Sequence, residues 1–298
     1  MNVNHHEKTC SLNSITSILD GKIIHVDGRN SEGESALYCA SWFGYADIVT
    51  VLIDKGADIE LKKKGENQIV NLNNGMTALA IASQSNNADV VSILLEKGAQ
   101  VDNKDNEGQT PLFKASKCDC TATAVILLDR GADVNAVDNT MNTALHISCG
   151  KGFEGMVSLL LSRGADIHIK NNLGFTALNY ACFAGHTSIA ILLIKAGADI
   201  NNLDNDGKTP LFRACDNDHL STATLLIEKG AKIDIKDKWG RTTLHWACAY
   251  NRKNIAMLLI NNKANIHIKS IMGQTPLDLQ PEWNEEFTAL YNTVNTSK

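Results

Sequence analysis

The sequence predicts an all-α solenoid, a fold built by repeating one short helical unit along the chain. A threonine, or a serine in its place, recurs with a leucine two residues later at Ser35, Thr77, Thr110, Thr143, Thr176, Thr209, Thr242 and Thr275. Every step is 33 residues except the first, which is 42. Because a unit of this size can bury its apolar side chains only against its neighbours, a fixed period of this length indicates a repeat array.

The threonine marks the start of the first helix of each unit. Gly108–Ala115 reads G-Q-T-P-L-F-K-A, and Gly207–Ala214 and Gly240–Ala247 are close variants. A threonine hydroxyl can accept a hydrogen bond from a free backbone N–H at a helix start, and proline at the first helical position loses no hydrogen bond. A short helix is therefore predicted after each threonine.

A second, apolar helix is predicted to follow in each unit. The apolar stretches that indicate it are Ile48–Ile53, Val90–Leu95, Met156–Leu161, Ile189–Ile194 and Ile255–Ile260. A glycine, which can close a helix in the left-handed conformation, follows at Gly56, Gly98, Gly131, Gly164, Gly197 and Gly230. Lys263 takes that place in the seventh copy. The Asn, Asp and Gly residues before the next threonine predict a tight, hairpin-like turn.

This pattern resembles the ankyrin repeat, whose hallmark segments T-P-L-H-x-A and G-A-D-V-N are matched by Gly108–Ala115 and Ala132–Asn135. The resemblance covers Ser31 to Glu282 and implies an L-shaped helix pair in each repeat, with the pairs stacked into a curved array from which hairpins project. The expected organisation is an N-terminal tail and degenerate capping repeat at 1–30, seven repeats at 31–272, and a truncated capping repeat and C-terminal tail at 273–298.

Three departures from the period are expected to have structural consequences. Nine extra residues lie within Leu61–Asn74, where we expect an extended hairpin at 61–74 that projects as a finger. Ser14–Leu19 is predicted to form a lone second helix of the degenerate first unit. The final copy is expected to lose its second apolar helix after Pro281, and frayed tails are expected at Met1–Leu12 and Asn292–Lys298.

Composition and charge argue against several classes of protein. The net charge of -5 gives no basic field to hold a phosphate backbone, so direct binding of nucleic acid is not expected. The amino terminus is polar, and no stretch approaches the roughly 20 apolar residues that span a bilayer, so a cytoplasmic or nuclear protein is expected. A membrane-surface anchor through Lys62–Lys64 is the remote alternative.

Four of the eight cysteines share the period of the repeat, at Cys149, Cys182, Cys215 and Cys248. Equivalent atoms in neighbouring stacked helices should lie about 10 Å apart, beyond the reach of a disulfide, so we interpret these residues as small, reduced side chains of the core. Cys118 and Cys120 beside Asp119 are a weak signal for a metal site, because no Cys or His pair stands at zinc spacing from them. No metal and no cofactor are predicted.

The histidines also recur with the period. His146 and His245 occupy the hallmark histidine position, where the resemblance implies that the imidazole ties neighbouring turns together. Two further positions are shared, by His186 with His219 and by His168 with His267. The chain contains no G-x-x-x-x-G-K-[ST], H-E-x-x-H or G-x-S-x-G motif, which favours a protein that is not an enzyme. An enzyme with a site in the groove is the competing class.

For partner binding, the resemblance implies an inner groove formed by the hairpins and the last turn of each first helix. Aromatic and arginine residues, the usual anchors of protein interfaces, provide the candidates Trp42, Phe43, Phe175, Phe183, Arg213, Trp239, Arg241 and Tyr250. We expect Trp239, Arg241 and Tyr250, with the nearby Arg213, to contact an acidic and apolar segment of another protein. An alternative is that Trp42, Phe183 and Tyr250 fill the seam between repeats. Trp246 is expected to be partly buried.

The predicted function is that of a non-enzymatic protein–protein interaction module, a free adaptor or a scaffold. It is expected to act as a monomer on another protein. The resemblance also implies narrower alternatives, since ankyrin stacks serve as proteasome-assembly chaperones, transcription-factor inhibitors and substrate receptors of ubiquitin ligases.

Overall fold

A computed structural model describes residues 25–64 and 75–296, and within these ranges it contains fifteen α-helices and no β-strand. Extended pairing in the described ranges is limited to two isolated bridges, Arg29 with Ser35 and Val137 with Thr143. The predicted helix at Ser14–Leu19, the predicted tail at Met1–Leu12 and most of the predicted finger lie outside the described residues. The all-α repeat class is confirmed.

The described chain divides into two compact units. The first unit holds the residues up to Ala144 together with Ser162–Ala165, and the second holds Leu145–Leu161 together with the residues from Asp166 onward. In the first unit the helices are α1 (Ala36–Phe43), α2 (Ala46–Asp54), α3 (Ala78–Gln84), α4 (Ala88–Glu96), α5 (Pro111–Lys117) and α6 (Thr121–Asp129).

The second unit contains the remaining helices, the first of which starts at Ala144. They are α7 (Ala144–Lys151), α8 (Glu154–Ser162), α9 (Ala177–Ala184), α10 (Thr187–Lys195), α11 (Pro210–Asp216), α12 (Leu220–Glu228), α13 (Thr243–Ala249), α14 (Lys253–Asn261) and α15 (Asn284–Thr296). Two short 3-10 helices, Leu277–Leu279 and Pro281–Trp283, precede α15. Within each unit, first helices pack on first helices of the next copy and second helices on second helices.

The repeat threonine caps the first helix as predicted. The Thr110 hydroxyl accepts a hydrogen bond from the backbone N–H of Phe113 at 3.2 Å, and Pro111 is the first helical residue. In α13 the cap is reciprocal, since His245 Nδ1 accepts in turn from the backbone N–H of Thr242 at 3.0 Å. These contacts satisfy backbone donors that have no partner within the helix.

The second helices end as predicted, in the left-handed conformation. Gly98 has φ of 96°, and Lys263, which replaces glycine after α14, has φ of 67°. A side chain in this conformation costs roughly 1–2 kcal/mol, so the seventh copy carries strain at a position where the second to sixth copies have glycine.

The cysteines that share the period lie in the core. Cys149, Cys182, Cys215 and Cys248 are buried and free of disulfides. Burial raises the pKa of each of these four thiols, because the thiolate loses its hydration in an apolar surrounding. The interpretation of these residues as small side chains of the core is confirmed, and their reduced state remains a prediction.

The expected loss of a second helix after Pro281 is wrong. Helix α15 extends from Asn284 to Thr296, Phe287 is fully buried, and the rings of Trp283 and Phe287 lie 5.0 Å apart between their centroids. The apolar residues of α15 recur at intervals of three and four, which places them on one face toward α14 even though they form no continuous apolar stretch. The predicted frayed tail is also wrong as far as Thr296.

Candidate functional site

A buried carboxylate organises the hairpin that precedes α13. One oxygen of Asp237 accepts hydrogen bonds from the backbone N–H groups of Trp239 and Arg241, both at 2.9 Å. The other oxygen accepts from the indole Nε1 of Trp246 at 3.1 Å and from Nε of Arg241 at 3.2 Å. The Asp237 side chain is fully buried. One residue therefore holds the hairpin backbone at Trp239 and Arg241 and fixes two side chains, those of Arg241 and Trp246.

The same arrangement recurs five residues before most repeat threonines. An Asp or Asn side-chain oxygen accepts from the backbone N–H groups two and four residues later at Asn30, Asp105, Asp138, Asn171, Asp204 and Asp237. The remaining side-chain atom meets the residue nine positions later, which is Lys114, Tyr180, Arg213 or Trp246 in four of the copies. This hydrogen-bonding arrangement was not predicted from the sequence, although the regular spacing of these Asp and Asn residues could have indicated it.

A stack of aromatic and cationic groups lies above Asp237. The guanidinium carbon of Arg241 is 4.5 Å from the ring centroid of Trp239 and 4.2 Å from that of Trp246. Trp246 in turn stacks on Tyr250, with centroids 5.1 Å apart, and the ammonium of Lys208 lies 3.9 Å from the Trp246 ring. Each cation–π contact contributes about 0.5–2 kcal/mol, depending on its burial. The stack is consequently rigid compared with isolated surface side chains.

A cavity of about 450 Å³, which we call the Trp239 groove, lies beside this stack. Its lining includes Trp239, Arg241, Trp246, Tyr250, Ile271 and Met272. Tyr250, Ile271 and Met272 are 57%, 70% and 79% exposed, respectively. Scattered apolar side chains are common on protein surfaces, but a cluster of them around a cavity is typical of a binding site.

The predicted partner-contacting residues near the carboxyl end are brought together only in part. Trp239, Arg241 and Tyr250 all line the Trp239 groove, whereas Arg213 does not. Two nitrogens of Arg213 bond Asp204, at 2.6 and 2.8 Å, and its guanidinium covers the ring of Phe175 at 4.6 Å. Arg213 therefore has a structural role in addition to any contact with a partner.

Phe175 and Phe183 lie outside the lining of the Trp239 groove. Phe175 is 8% exposed, and its backbone carbonyl accepts from His146, so its ring is mainly part of the core. Phe183 is 46% exposed at the end of α9. A role of either residue in partner binding remains a prediction.

Trp42 and Phe43 belong to the first unit, where their rings stack 5.5 Å apart. Trp42 is partly buried against a core cluster that contains Tyr38, Met76 and Ile81. This packing agrees with the alternative that Trp42 fills the seam between repeats, and binding of a partner by Trp42 and Phe43 remains a prediction.

Two residues of the groove, Ile271 and Met272, were missed by the sequence analysis. They form the tip of the last hairpin, where the third copy has Asn106 and Glu107 and the sixth has Asn205 and Asp206. An exposed Ile-Met pair in a position that is polar in these copies is the sequence signal that could have identified them.

The two histidines at the hallmark position, His146 and His245, serve the scaffold as predicted. His146 Nε2 lies 3.0 Å from the Phe175 carbonyl and His245 Nε2 lies 3.1 Å from that of Gln274, so each imidazole bridges to the next copy. Nδ1 of His245 accepts from the backbone N–H of Thr242, which leaves Nε2–H as the donor and the ring neutral. Burial lowers the pKa of His245. Among the described residues, no three His, Cys, Asp or Glu side chains are grouped so that they could hold a metal ion.

The three lysines at 62–64 do not form one exposed patch. Lys63 is buried, with its ammonium 2.7 Å from the Glu34 carboxylate, and Lys62 donates to the backbone carbonyl of Lys104 at 2.7 Å. This geometry weakens the membrane-anchor alternative, since only Lys62 and Lys64 are exposed. In residues 25–64 and 75–296 no helix has the length and apolar character to span a membrane.

Comparison with known proteins agrees with this geometry. The family model described as ankyrin repeats (3 copies) matches residues 61–138 and 136–204, the one described as ankyrin repeats (many copies) matches 211–260, and a single ankyrin repeat matches 32–64. Among solved structures, the ankyrin repeat domain of Bcl-3, a member of the IkappaB protein family, is 29% identical with a TM-score of 0.63. That match covers 69% of this chain and 94% of the Bcl-3 chain. The search of curated proteins found no significant match.

Proposed function

Since this chain belongs to the ankyrin repeat family, we propose that it is a non-enzymatic protein–protein interaction module, an adaptor or a scaffold, that binds a partner protein in the Trp239 groove. Ankyrin repeats are generally modules that bind other proteins, and proteins built from them are typically not enzymes. The family accounts for the general activity, whereas the location of the site has to be argued from the residues of this chain.

The observation that carries the proposal is the gathering of Trp239, Tyr250, Ile271 and Met272 around one cavity. Large apolar side chains in such an arrangement leave apolar surface in water, where burial against a partner would contribute roughly 25 cal/mol for each Å² covered. Aromatic residues and arginine are also the residue types that most often dominate binding energy at interfaces. Because the Trp239–Arg241–Trp246 stack is already ordered, little side-chain entropy would be lost on binding.

The test is quantitative affinity purification with mass spectrometry from cells that express the protein. The double variant Trp239→Ala with Arg241→Glu is expected to lose the partners that the wild-type chain recovers. Leu220→Ala is the matched control, because Leu220 is a 41% exposed apolar side chain of the same unit that does not line the groove. If the double variant folds and recovers every partner at the wild-type level, the groove is not the binding site.

A second candidate is a dedicated regulatory subunit, and the similarity to a domain from the IkappaB protein family favours it. A regulatory subunit should form one complex of fixed stoichiometry, whereas a scaffold should hold two or more partners at once. Native mass spectrometry of the purified complexes distinguishes the two. A chain bound to two different partners together would exclude the subunit role.

A further inference from the structure

Arg241 presents hydrogen-bond donors that the described structure does not use. Its Nε donates to Asp237 at 3.2 Å, and its guanidinium carbon lies within 4.5 Å of the ring centroids of both Trp239 and Trp246. Among the described residues, its terminal nitrogens Nη1 and Nη2 have no hydrogen-bond partner. The side chain is 31% exposed, and it lines the Trp239 groove. A planar, fixed guanidinium with two free terminal nitrogens is suited to bind a carboxylate through both of its oxygens.

Two other cations near the groove are already occupied. Arg213 uses Nε and Nη2 on Asp204, and Lys238 forms an ion pair with Asp206. Arg241 is also the only charged side chain among the residues that line the groove, because His245 is neutral. The groove therefore offers the two free terminal nitrogens of one arginine, whose Nε is paired with Asp237, beside an apolar surface.

We propose that the Trp239 groove recognises a segment of a partner protein in which an Asp or Glu carboxylate lies next to a bulky apolar side chain. The carboxylate bonds Nη1 and Nη2 of Arg241, and the apolar side chain packs against Tyr250, Ile271 and Met272. This inference rests on the proposed function and specifies its ligand.

Charge favours a carboxylate over a phosphate at this position. A carboxylate brings one further negative charge to the Arg241–Asp237 ion pair. A phosphorylated side chain brings about -1.5 to -2 and is typically bound by a cluster of arginines, whereas one arginine lines the groove. The larger negative charge of a phosphate, held beside the buried Asp237 carboxylate, would therefore be the less favourable of the two. The exposed apolar residues favour a protein segment over a small acid, since a small acid would leave Ile271 and Met272 uncovered.

The test uses a displayed library of random 12-residue peptides, selected on the purified full chain. Peptides that the wild type binds and the Met272→Glu variant does not bind are groove-dependent, and they should contain Asp or Glu within about two residues of Leu, Ile, Phe or Met. For a synthetic peptide of this set, Arg241→Gln should weaken binding about 10- to 100-fold, the usual effect of losing a hydrogen-bonded charge. Arg252→Gln makes the same chemical change outside the groove lining and should leave binding unchanged.

A peptide-side change keeps the inference falsifiable if Arg241→Gln does not fold. Replacing the acidic peptide residue by its amide should weaken binding to the wild type by the same factor, and should have little further effect on Arg241→Gln. Groove-dependent peptides without an acidic preference, or tighter binding after the acidic residue is replaced by phosphoserine, would overturn the inference but leave the proposed function intact. A library that yields no groove-dependent peptide would refute both.

Discussion

The substitution Asp237→Asn tests whether one carboxylate organises the candidate site. The amide oxygen can still accept from the backbone N–H groups of Trp239 and Arg241, as Asn171 does from those of Leu173 and Phe175 at 2.9 and 3.0 Å. The amide nitrogen, however, would face two donors, the Trp246 indole N–H and Arg241 Nε. The substitution therefore separates the side-chain contacts from the backbone contacts.

The expected cost follows from the bonds that are lost. Both bonds are accepted by a carboxylate and each contributes about 1.5–3 kcal/mol, so Asp237→Asn should lower the free energy of unfolding by about 3 kcal/mol or more. Asp138→Asn is the matched control. Asp138 holds its hairpin in the same way, with bonds to Thr140 and Asn142, but the residue nine positions later is Ile147, which offers no donor. Its cost should stay below about 1 kcal/mol.

The assay is urea denaturation followed in parallel by tryptophan fluorescence and far-UV circular dichroism. Coincident transitions are required before a free energy is assigned, because repeat arrays can unfold in more than one step. Two results would show that the Asp237 hydrogen bonds do not stabilise the site as their geometry indicates. One is a free energy of unfolding of Asp237→Asn within about 1 kcal/mol of the wild-type value, and the other is an equal loss of free energy for Asp138→Asn and Asp237→Asn.

Three further predictions concern the scaffold. Burial lowers the pKa of His245 and keeps its imidazole neutral. As the pH falls below about 6.5, the unfolded chain takes up a proton at this residue while the folded chain does not, so the free energy of unfolding should decline toward pH 5. His245→Asn should reduce that decline in thermal melts, and an unchanged pH dependence would contradict the assignment. Lys263→Gly should raise the free energy of unfolding by about 0.5–1 kcal/mol in urea titrations, because glycine adopts the φ of 67° without steric strain. A lower free energy of unfolding would show that the lysine side chain contributes more than the strain costs. Phe287→Ala should cost about 3 kcal/mol and increase hydrogen exchange in Asn284–Thr296, and unchanged exchange would show that α15 does not depend on this contact.

The parts of the fold that could be predicted from sequence are those set by local chemistry. Thr110 followed by Pro111 determines a helix start through atoms within four residues, and the predicted cap is present. The glycines after the second helices gave equally local signals. Helix α15 was missed because its apolar residues are separated by polar ones, so a search for a continuous apolar stretch could not find it, although helical spacing connects Trp283 with Phe287.

The candidate site was predictable only where register alone decides position. Trp239, Arg241 and Tyr250 could be assigned to one surface because each has a fixed place in the repeat. The buried network could not be inferred in the same way, since it depends on Asp237 meeting Trp246 after the chain turns back on itself. The position of Arg213 in the repeat also did not predict its ion pair with Asp204. That contact depends on which side chain lies nine residues after Asp204.

The recurrent Asp or Asn explains how a uniform scaffold can carry one distinctive site. In the copies that have it, the same acceptor holds the hairpin, while the residue nine positions later differs, as Lys114 and Arg213 show by forming ion pairs with Asp105 and Asp204. When that residue is Trp246, it donates a single indole N–H to one carboxylate oxygen of Asp237. The same oxygen also accepts a hydrogen bond from Nε of Arg241. Because Nε is bound and the guanidinium carbon lies 4.5 and 4.2 Å from the ring centroids of Trp239 and Trp246, the guanidinium is held in place with its terminal nitrogens free. The candidate binding group, the guanidinium of Arg241, is thus held in place because the Asp237 carboxylate accepts hydrogen bonds from both Trp246 and Arg241.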